Sequence, residues 1–224
     1  MLLKLTIQTA LWLALMAALL LVPAGTLAWQ QAWVFVIVIG GASLLLCAWL
    51  VVHDPALLEQ RMAGPLQGDQ PRWDRIFMIC LMALFVLWLV MMGLDRRFGW
   101  SYVPLWLEVV GALGVLGAYY VFWLVFRANS FAAPVVKIQQ ERGHAIVTTG
   151  PYAVVRHPMY AGAIGFVLGT PLLLGSWPGV ALGLVMFLAF GYRAVREEAT
   201  LAAQLPDYAD YAARVRYRFF PHIW

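Results

Sequence analysis

The sequence predicts an all-α integral membrane protein, and three observations support this prediction. Of the 224 residues, 63% are hydrophobic and only 12% are charged, whereas a soluble domain is about half apolar and about a quarter charged. The apolar residues fall in blocks, most of them close to the roughly 20 residues that a helix needs to cross a bilayer. The basic residues lie mainly in the segments between these blocks.

Six apolar blocks define the predicted helices. The first four, which we expect to be full spans, are residues 5–22, 29–52, 76–94 and 103–126. The last two, residues 159–174 and 178–192, are each short for a full span and are separated by a Gly-Ser-Trp-Pro turn. We expect these two to form a helical hairpin that crosses and returns. The prediction is therefore about five transmembrane spans, or six if the hairpin helices are counted separately.

The first block and the cysteines each allow two interpretations. A signal peptide has an apolar core of about 7–15 residues, and block 5–22 is longer, so we expect it to be retained as a span. The Pro-Ala-Gly sequence at 23–25 leaves cleavage open. Cys47 and Cys80 lie inside apolar blocks, where we expect buried, unpaired thiols. Nothing in the sequence indicates a disulfide framework or a metal site.

The basic residues predict the orientation, because Lys and Arg favour the cytoplasmic side in short loops. With the N-terminus inside, loop 53–75, stretch 127–157 and the C-terminal tail are also inside. Only Arg96 and Arg97, of fifteen basic residues, then lie outside. The net charge of +4 is thus a topology signal, and its scatter over several loops argues against a nucleic-acid partner. We expect the C-terminus to face the cytoplasm.

The N-terminal part of the chain offers packing signals. Gly111, Gly114 and Gly117 repeat on one face of the fourth helix, and small residues there let helices approach closely. Their spacing is not that of a dinucleotide-binding loop, and no strand precedes them. Residues 57–62 are predicted to form a short helix at the membrane surface. We therefore divide the chain into a scaffold and substrate-side wall, 1–126, and a catalytic region, 127–224.

Polar residues are concentrated in the C-terminal part. A polar stretch, 127–156, leads into the sequence GPYAVVRHPMYAG at residues 150–162. Pro158 suits the first position of a helix, so we expect the next helix to begin there. Arg156 and His157 would then lie at the membrane surface.

A second polar group follows the hairpin. Arg193 and Glu197 are four residues apart and so share one face of the continuing helix, and Glu198 is adjacent. A short amphipathic helix then carries Tyr208 and Tyr211, which we expect to pack as parts of a lid. Arginines near the C-terminus are expected to contact lipid headgroups; they are Arg214, Arg216 and Arg218.

These residues resemble the isoprenylcysteine carboxyl methyltransferase family of membrane enzymes, particularly its bacterial and archaeal members. The resemblance rests on the string Gly-x-Tyr-x-x-x-Arg-His-Pro-x-Tyr-x-Gly at 150–162, the Arg/Glu-Glu cluster at 193–198 and the tyrosine helix. It covers roughly residues 129–221, and the first two spans carry no such signal. It implies methyl transfer from S-adenosylmethionine to a lipophilic small molecule or lipidated substrate in the bilayer, with carboxyl O-methylation of an isoprenylcysteine-like group as the expected reaction.

The resemblance also implies the site residues. The cofactor would contact, in chain order, Gln139, His144, Ala145, Ile146, Val147, Tyr152, His157, Pro158, Met159, Tyr160 and Glu197. Of these, Gln139 matches the family's glutamine only loosely. Arg193 matches an arginine implicated in holding the reacting group of the substrate. Glu197 matches the family's glutamate. An alignment shifted by one residue would place Glu198 in that role instead.

The chemistry of the residues agrees with this assignment. Aromatic faces such as Tyr152 and Tyr160 suit a sulfonium cation, Glu197 suits an ammonium, and His157 or a helix N-terminus suits a carboxylate. A carboxylate acceptor is already ionised at neutral pH, so it needs orientation by Arg193 rather than a base. An amine or thiol acceptor would instead need a base, with Glu198 or His157 as candidates.

Three alternatives remain. Residues 215–221 resemble those of membrane reductases of the sterol-reductase type, which would bind NADPH. A phospholipid or thiol methyltransferase would share the cofactor and differ in the acceptor. A non-enzymatic scaffold or transport component is disfavoured, because transporters place ionisable residues within their spans and only Glu108 qualifies here.

Overall fold

The computed structural model describes residues 2–224, and within that range it contains helices and turns but no strand. The helices are α1 Leu2–Ala24, α2 Gln30–His53, α3 Pro55–Met62, α4 Arg72–Phe98, α5 Leu105–Ala128, α6 Pro158–Leu174, α7 Trp177–Gln204 and α8 Tyr208–Arg214. Two short 3₁₀ turns, Gln140–Arg142 and Gly150–Ala153, lie between α5 and α6. The predicted all-α membrane fold is confirmed.

Five helices are long and apolar enough to cross a bilayer: α1, α2, α4, α5 and α7. α6 has 17 residues and is the short arm of the predicted hairpin. The second arm differs from the prediction, because block 178–192 belongs to the 28-residue helix α7. No residue from Gly191 to Gln204 stops a helix, so α7 continues past its apolar part into the polar segment that carries Arg193.

The outer faces of the bundle remain apolar, as expected for contact with lipid. Leu45 is 76% exposed and Leu188 is 70% exposed, and such side chains become buried only when acyl chains surround them. Cys80 also lies on an outer face and is exposed, so the prediction that both thiols are buried is wrong for Cys80. In a membrane span, an apolar position can face lipid as readily as protein.

The bundle interior is formed mainly by side chains of α1, α2, α4, α6 and α7. Trp88 of α4 is fully buried, and its indole N–H donates to the Gly179 carbonyl of α7 at 2.8 Å. This bond satisfies the buried indole N–H of Trp88. The polar contact fixes α4 beside α7, which bears on the site described below.

Helices α5 and α6 cross at their glycines. A Cβ added to Gly111 would lie 2.5 Å from the Gly169 carbonyl oxygen, and a Cβ on Gly169 would lie 2.7 Å from the Gly111 oxygen. The predicted glycine face is therefore confirmed for Gly111. It is wrong for Gly117, where an added Cβ would meet no atom within 4 Å. A spacing of three residues falls short of one helical turn, so successive glycines rotate away from α6.

Seven of the fifteen basic residues lie in segments 54–71, 129–157 and 205–224. These segments gather at one end of the bundle, which we call the basic end. These segments contact one another there. Lys137 pairs with Asp69 at 3.2 Å, and the backbone N–H of Arg156 donates to the Tyr217 carbonyl at 2.9 Å. At the opposite end, the Trp177 N–H donates to Ser101 at 3.0 Å, so α6 crosses the whole bundle.

Candidate functional site

A cavity opens at the basic end, and we call it the site cavity. It has a volume of about 830 Å³ with its solvent-filled mouth included. Its walls come from loop 129–147, the Gly150–Ala153 turn, the first turn of α6, the last turns of α7, and α8. Pro158 occupies the first position of α6, as predicted, and so fixes where the loop ends and the helix begins.

The structure brings most of the predicted cofactor residues to this cavity. Those that line it are His144, Ala145, Ile146, Val147, Tyr152, His157, Met159, Tyr160 and Glu197. Two predicted cofactor residues, Gln139 and Pro158, lie outside its lining. Two residues predicted to be catalytic, Arg193 and Glu198, also lie outside it. The sequence-based set thus contains both residues that face the cavity and residues that support its walls.

Glu197 is the acidic side chain that faces the cavity. Its carboxylate accepts a hydrogen bond of 2.5 Å from the Tyr160 hydroxyl. Within residues 2–224 it forms no ion pair with a basic side chain. Tyr160 itself is sandwiched between the His157 ring, at a centroid distance of 5.4 Å, and the Phe190 ring, at 5.8 Å. A carboxylate held by a buried aromatic hydroxyl is therefore available to a ligand cation.

Glu198 has a different environment. Its carboxylate pairs with Arg156 at 2.7 Å, with His157 Nε2 at 3.0 Å and with Arg218 at 3.0 Å. One residue along a helix is a turn of about 100°, so the neighbours Glu197 and Glu198 face different partners. The geometry favours Glu197 over Glu198 for contact with a ligand. It also corrects the expectation that Arg218 contacts lipid headgroups, because an acid within the protein binds it.

The C-terminal tail is fastened beside the cavity by the same residues. The His157 N–H donates to the Arg218 carbonyl at 2.9 Å, next to the Arg156–Tyr217 bond already described. Phe219 is only 2% exposed and packs edge-on against Tyr160 at 5.9 Å. The tail therefore packs against the stacked rings of His157, Tyr160 and Phe190, which we call the aromatic wall.

Arg193 is bound by an acid that the sequence analysis missed. Its Nε donates to Asp74 Oδ1 at 2.9 Å, and its Nη2 donates to the Pro134 carbonyl at 2.9 Å. Asp74 is fully buried and its other oxygen accepts from the Val136 N–H at 2.9 Å and from Gln70 at 2.7 Å. This ion pair joins α4, α7 and loop 129–147.

Arg193 stands directly behind the aromatic wall. Its guanidinium carbon lies 5.8 Å from the centre of the Tyr160 ring. In the sequence, Asp74 is a charged residue just before the third apolar block, residues 76–94. An acid in the first turn of a helix is ordinarily explained by the helix dipole, so its long-range partner gave no local signal.

Gln139 shapes the loop rather than facing the cavity. It is 1% exposed; its amide donates to the Phe131 carbonyl at 3.0 Å, and its side-chain oxygen accepts from Arg142 at 2.5 Å. Its backbone N–H lies 3.2 Å from His144 Nδ1, to which it donates. The His144 ring also stacks on Phe131 at 4.5 Å. Gln139 therefore positions His144, which does line the cavity.

The His144 imidazole is held in its neutral form. Burial, reinforced by the positive charge of Arg142, lowers the pKa of His144 below its usual value of 6.5. A neutral ring agrees with the geometry, because Nδ1 must lack a proton to accept the bond from Gln139.

Tyrosines form the opposite wall. Asn129 donates to the Tyr152 hydroxyl at 2.9 Å, and the Tyr211 hydroxyl donates to the Tyr152 carbonyl at 2.9 Å. Burial raises the pKa of Tyr211 to about 12, so its hydroxyl stays protonated at neutral pH. The Tyr208 hydroxyl is buried at the cavity and has no hydrogen-bond partner among the described residues. Buried hydroxyls are normally satisfied, and this one is available to donate to a ligand in the cavity.

Fold and cavity together define a class: a polytopic helical membrane protein with a cavity at one end of its bundle. A family model described as phospholipid methyltransferase matches residues 106–206. The chain is also 36% identical over 108 residues to the protein-S-isoprenylcysteine O-methyltransferase of Schizosaccharomyces pombe, covering 46% of each chain. It is 34% identical over 113 residues to the human protein of that name, covering 49% of this chain and 40% of that one.

A third relative has a different name. The cobalt-zinc-cadmium resistance protein CzcN of Cupriavidus metallidurans is 36% identical over 90 residues, 38% of this chain and 40% of that protein. The chain thus covers less than half the length of each of these relatives. The C-terminal half of the chain, which holds the site cavity, is therefore similar to proteins named as isoprenylcysteine methyltransferases.

Proposed function

We propose that this protein transfers a methyl group from S-adenosylmethionine to a lipophilic acceptor that reaches it through the bilayer, with carboxyl O-methylation as the reaction. The observation that carries the proposal is Glu197, a carboxylate without a basic partner among the described residues in an aromatic-walled cavity. The relatives named as methyltransferases support this function over the reductase alternative.

The residues of the cavity fit the chemistry of S-adenosylmethionine. Glu197 can bind the ammonium group by a charge-assisted hydrogen bond. The rings of Tyr152 and Tyr160 offer faces to a sulfonium cation. The buried Tyr208 hydroxyl, which lacks a partner among the described residues, can donate to a polar group of the ligand. His144 to Val147 would contact the ligand from the loop side.

When bound, S-adenosylmethionine supplies an electrophilic methyl group: the new O–CH₃ bond forms as the CH₃–S bond breaks, and its electron pair stays on sulfur. No proton moves if the acceptor is a carboxylate, because its ordinary pKa of about 4 leaves it ionised. Catalysis then depends on placement and on exclusion of water. The tail and α8 would cover the reacting groups.

Arg193 is the residue we assign to the acceptor. Asp74 and Pro134 engage its Nε and Nη2, while Nη1 forms no hydrogen bond within residues 2–224. Because Asp74 fixes the guanidinium plane, Nη1 has a defined direction. A guanidinium N–H suits a carboxylate oxygen, so Arg193 would hold the acceptor while Glu197 holds the donor.

We further propose that the basic end faces the cytoplasm, where the soluble donor is found, as the distribution of basic residues favours. Residues 127–224 would then supply most of the donor site, and residues 1–126 the scaffold and substrate-side wall. Asp74 modifies this division, because α4 also contributes to the support of Arg193.

Incubation of membranes containing the protein with isotopically labelled S-adenosylmethionine tests the function. Mass spectrometry of the lipid phase should show a labelled product whose methyl group is released by mild base, as expected of an ester. The Glu197→Gln variant should give no labelled product. Oxidation of NADPH without any labelled product would contradict the proposal and favour the reductase.

A further inference from the structure

Arginines and aromatic side chains meet at the outer edge of the contact between α4 and α7, near the basic end, and we call this group the seam patch. Its members are Arg72, Trp73 and Arg75 of α4 and Tyr192 and Arg196 of α7. The Arg196 guanidinium carbon lies 5.3 Å from the centre of the Trp73 ring, so the two helices touch at this point. One turn further into the bundle, the Tyr192 ring stacks on Phe77 at 6.4 Å.

The lipid-facing stripes of both helices end in these arginines. On α4, Arg72 and Arg75 share a face with Ile76, which is 63% exposed. On α7, Arg196 shares a face with Tyr192, which is 56% exposed. All three arginines are themselves exposed. The surface is thus apolar along the helices and cationic where the stripes end.

The length of the helices places the seam patch at the level of the headgroups. At the opposite end of the bundle, the Ser101 hydroxyl donates to Asp95 at 2.7 Å and accepts from the Trp177 N–H at 3.0 Å. From Arg75 to Asp95 on α4, and from Trp177 to Arg196 on α7, each helix rises by roughly 28–30 Å at about 1.5 Å per residue. That rise matches the hydrocarbon thickness of about 30 Å.

No acid of the described residues neutralises the seam patch. None of its three arginines forms an ion pair within residues 2–224. Arg75 donates to the backbone carbonyls of Gln67, at 2.8 Å, and Gly68, at 3.4 Å. The neighbouring acid Asp74 is fully buried and is bound to Arg193. The positive charge of the patch is therefore available to an anion from the membrane.

From this pattern we propose that the seam patch binds the headgroup of an anionic phospholipid, with its phosphate held by Arg72 and Arg196 and its acyl chains along the apolar stripes. A phospholipid with net negative charge is favoured over a zwitterionic one, because each arginine at a membrane surface contributes roughly a factor of five to its binding. None of the seam-patch residues lines the site cavity. The lipid would therefore be a bound component and not the methyl acceptor, and the proposal does not depend on the methyltransferase function.

The bound lipid would also support the interior of the protein. Behind the seam patch, the Phe77 ring lies between Tyr192, on which it stacks, and Arg193, whose guanidinium carbon is 5.5 Å from the ring centre. A headgroup that bridges α4 and α7 would hold together the two helices that carry Asp74 and Arg193. Because the lipid would bind only the folded protein at this place, it would raise the melting temperature.

Photochemical cross-linking tests this site. The full-length protein in phosphatidylcholine nanodiscs is irradiated with a phosphatidylglycerol that carries a diazirine on its acyl chain next to the headgroup, and separately with a phosphatidylcholine of the same design. We expect the phosphatidylglycerol to label peptides that contain the seam patch in preference to other outer faces, and the phosphatidylcholine to show no such preference. Arg196→Gln should reduce this labelling roughly fivefold, and the double change Arg72→Gln with Arg196→Gln roughly 25-fold.

Matched variants separate a specific site from general surface charge. Arg127 of α5 is also exposed and also packs on a tryptophan, with its guanidinium carbon 5.5 Å from the centre of the Trp123 ring. Arg127→Gln should therefore leave labelling of the seam patch unchanged. Arg196→Lys keeps the charge and should retain most of the labelling. Arg72→Gln alone, with an expected loss of roughly fivefold, keeps the test decisive if Arg196→Gln does not fold.

Equal labelling of the seam patch by the two lipids would overturn the proposal. An equal loss of labelling in Arg127→Gln and Arg196→Gln would also overturn it, because a general surface potential would then account for the binding. Calorimetric binding of S-adenosylmethionine to the same preparations reports separately on the proposed function. Seam labelling without donor binding would overturn that function and leave the lipid site standing.

Discussion

Glu197 and Glu198 are adjacent in sequence, and the structure gives them separate tasks that substitution can distinguish. Glu197→Gln should leave folding nearly unchanged, because the Tyr160 hydroxyl can still donate to the amide oxygen. It should weaken binding of S-adenosylmethionine at least roughly tenfold through loss of a charged partner. Calorimetry and thermal unfolding of the variant measure the two effects.

Glu198→Gln should act mainly on stability. The change removes the negative charge that Arg156, His157 and Arg218 share, and we expect a loss of about 1–3 kcal/mol in the free energy of unfolding. Denaturant titration is the measurement. A Glu198 variant that folds normally yet loses donor binding, beside a Glu197 variant that binds normally, would reverse the assignment.

The Asp74–Arg193 ion pair should be among the most sensitive contacts in the protein. Asp74→Asn leaves a buried guanidinium without its counter-charge, which typically costs about 3–5 kcal/mol. Asp69→Asn is the matched control: Asp69 also pairs with a basic residue, Lys137, but its side chain is 59% exposed, so the loss should stay below about 1 kcal/mol. Equal unfolding free energies for the two variants would contradict a structural role for Asp74.

His144 gives the site a pH dependence with a definite sign. Because its pKa is lowered in the folded protein from 6.5, the unfolded chain takes up a proton first as the pH falls below that value. The contribution of His144 to stability is therefore complete above pH 6.5 and is lost progressively below it. The His144→Asn side chain can still accept the hydrogen bond from the Gln139 N–H, and this variant should show a smaller fall in melting temperature as the pH drops below 6.5. A pH profile equal to that of the unaltered protein would exclude His144 as the cause of the pH dependence.

At the scale of the helices, the α5–α6 crossing depends on the absence of side chains. Gly111→Ala would place a Cβ 2.5 Å from the Gly169 carbonyl oxygen, and backbone can yield only if the helices separate. We expect about 1–3 kcal/mol of destabilisation, typical of overpacking. Gly117→Ala, in the same helix with nothing within 4 Å, should be neutral or slightly stabilising. Similar unfolding midpoints for both variants would contradict the crossing.

The helices themselves could be predicted well from the sequence, because each is encoded locally. Apolar block length located the four spans α1, α2, α4 and α5, and Pro158 marked the start of α6. Block length failed for the end of α7, since a helix need not stop where its apolar residues stop. It also could not tell a lipid-facing position, such as Cys80, from a buried one.

The candidate site could be predicted only in part, for a related reason. The motif at 150–162 and the cluster at 193–198 identified most cavity residues because a resemblance supplied them. Asp74 was missed because its partner Arg193 lies 119 residues away, and pairing over such a distance follows from tertiary packing. The sequence predicted only a packing role for Tyr208. Its buried hydroxyl, which has no partner among the described residues, makes it a candidate hydrogen-bond donor to a ligand.

For the whole molecule, the fold brings together reactants that prefer different solvents. The site cavity opens at the basic end, whereas the outer faces of the bundle are apolar. A charged donor could enter from water while an apolar acceptor entered from the bilayer. This arrangement explains why a methyltransferase of this kind would be a membrane protein.

The most direct test of this account is isothermal titration of the purified, full-length protein with S-adenosylmethionine and, separately, with NADPH. The account predicts saturable binding of S-adenosylmethionine at one site per chain, competition by its demethylated product S-adenosylhomocysteine, and no binding of NADPH. Binding of NADPH, or no binding of S-adenosylmethionine to folded protein, would contradict the central claim that the site cavity holds the methyl donor.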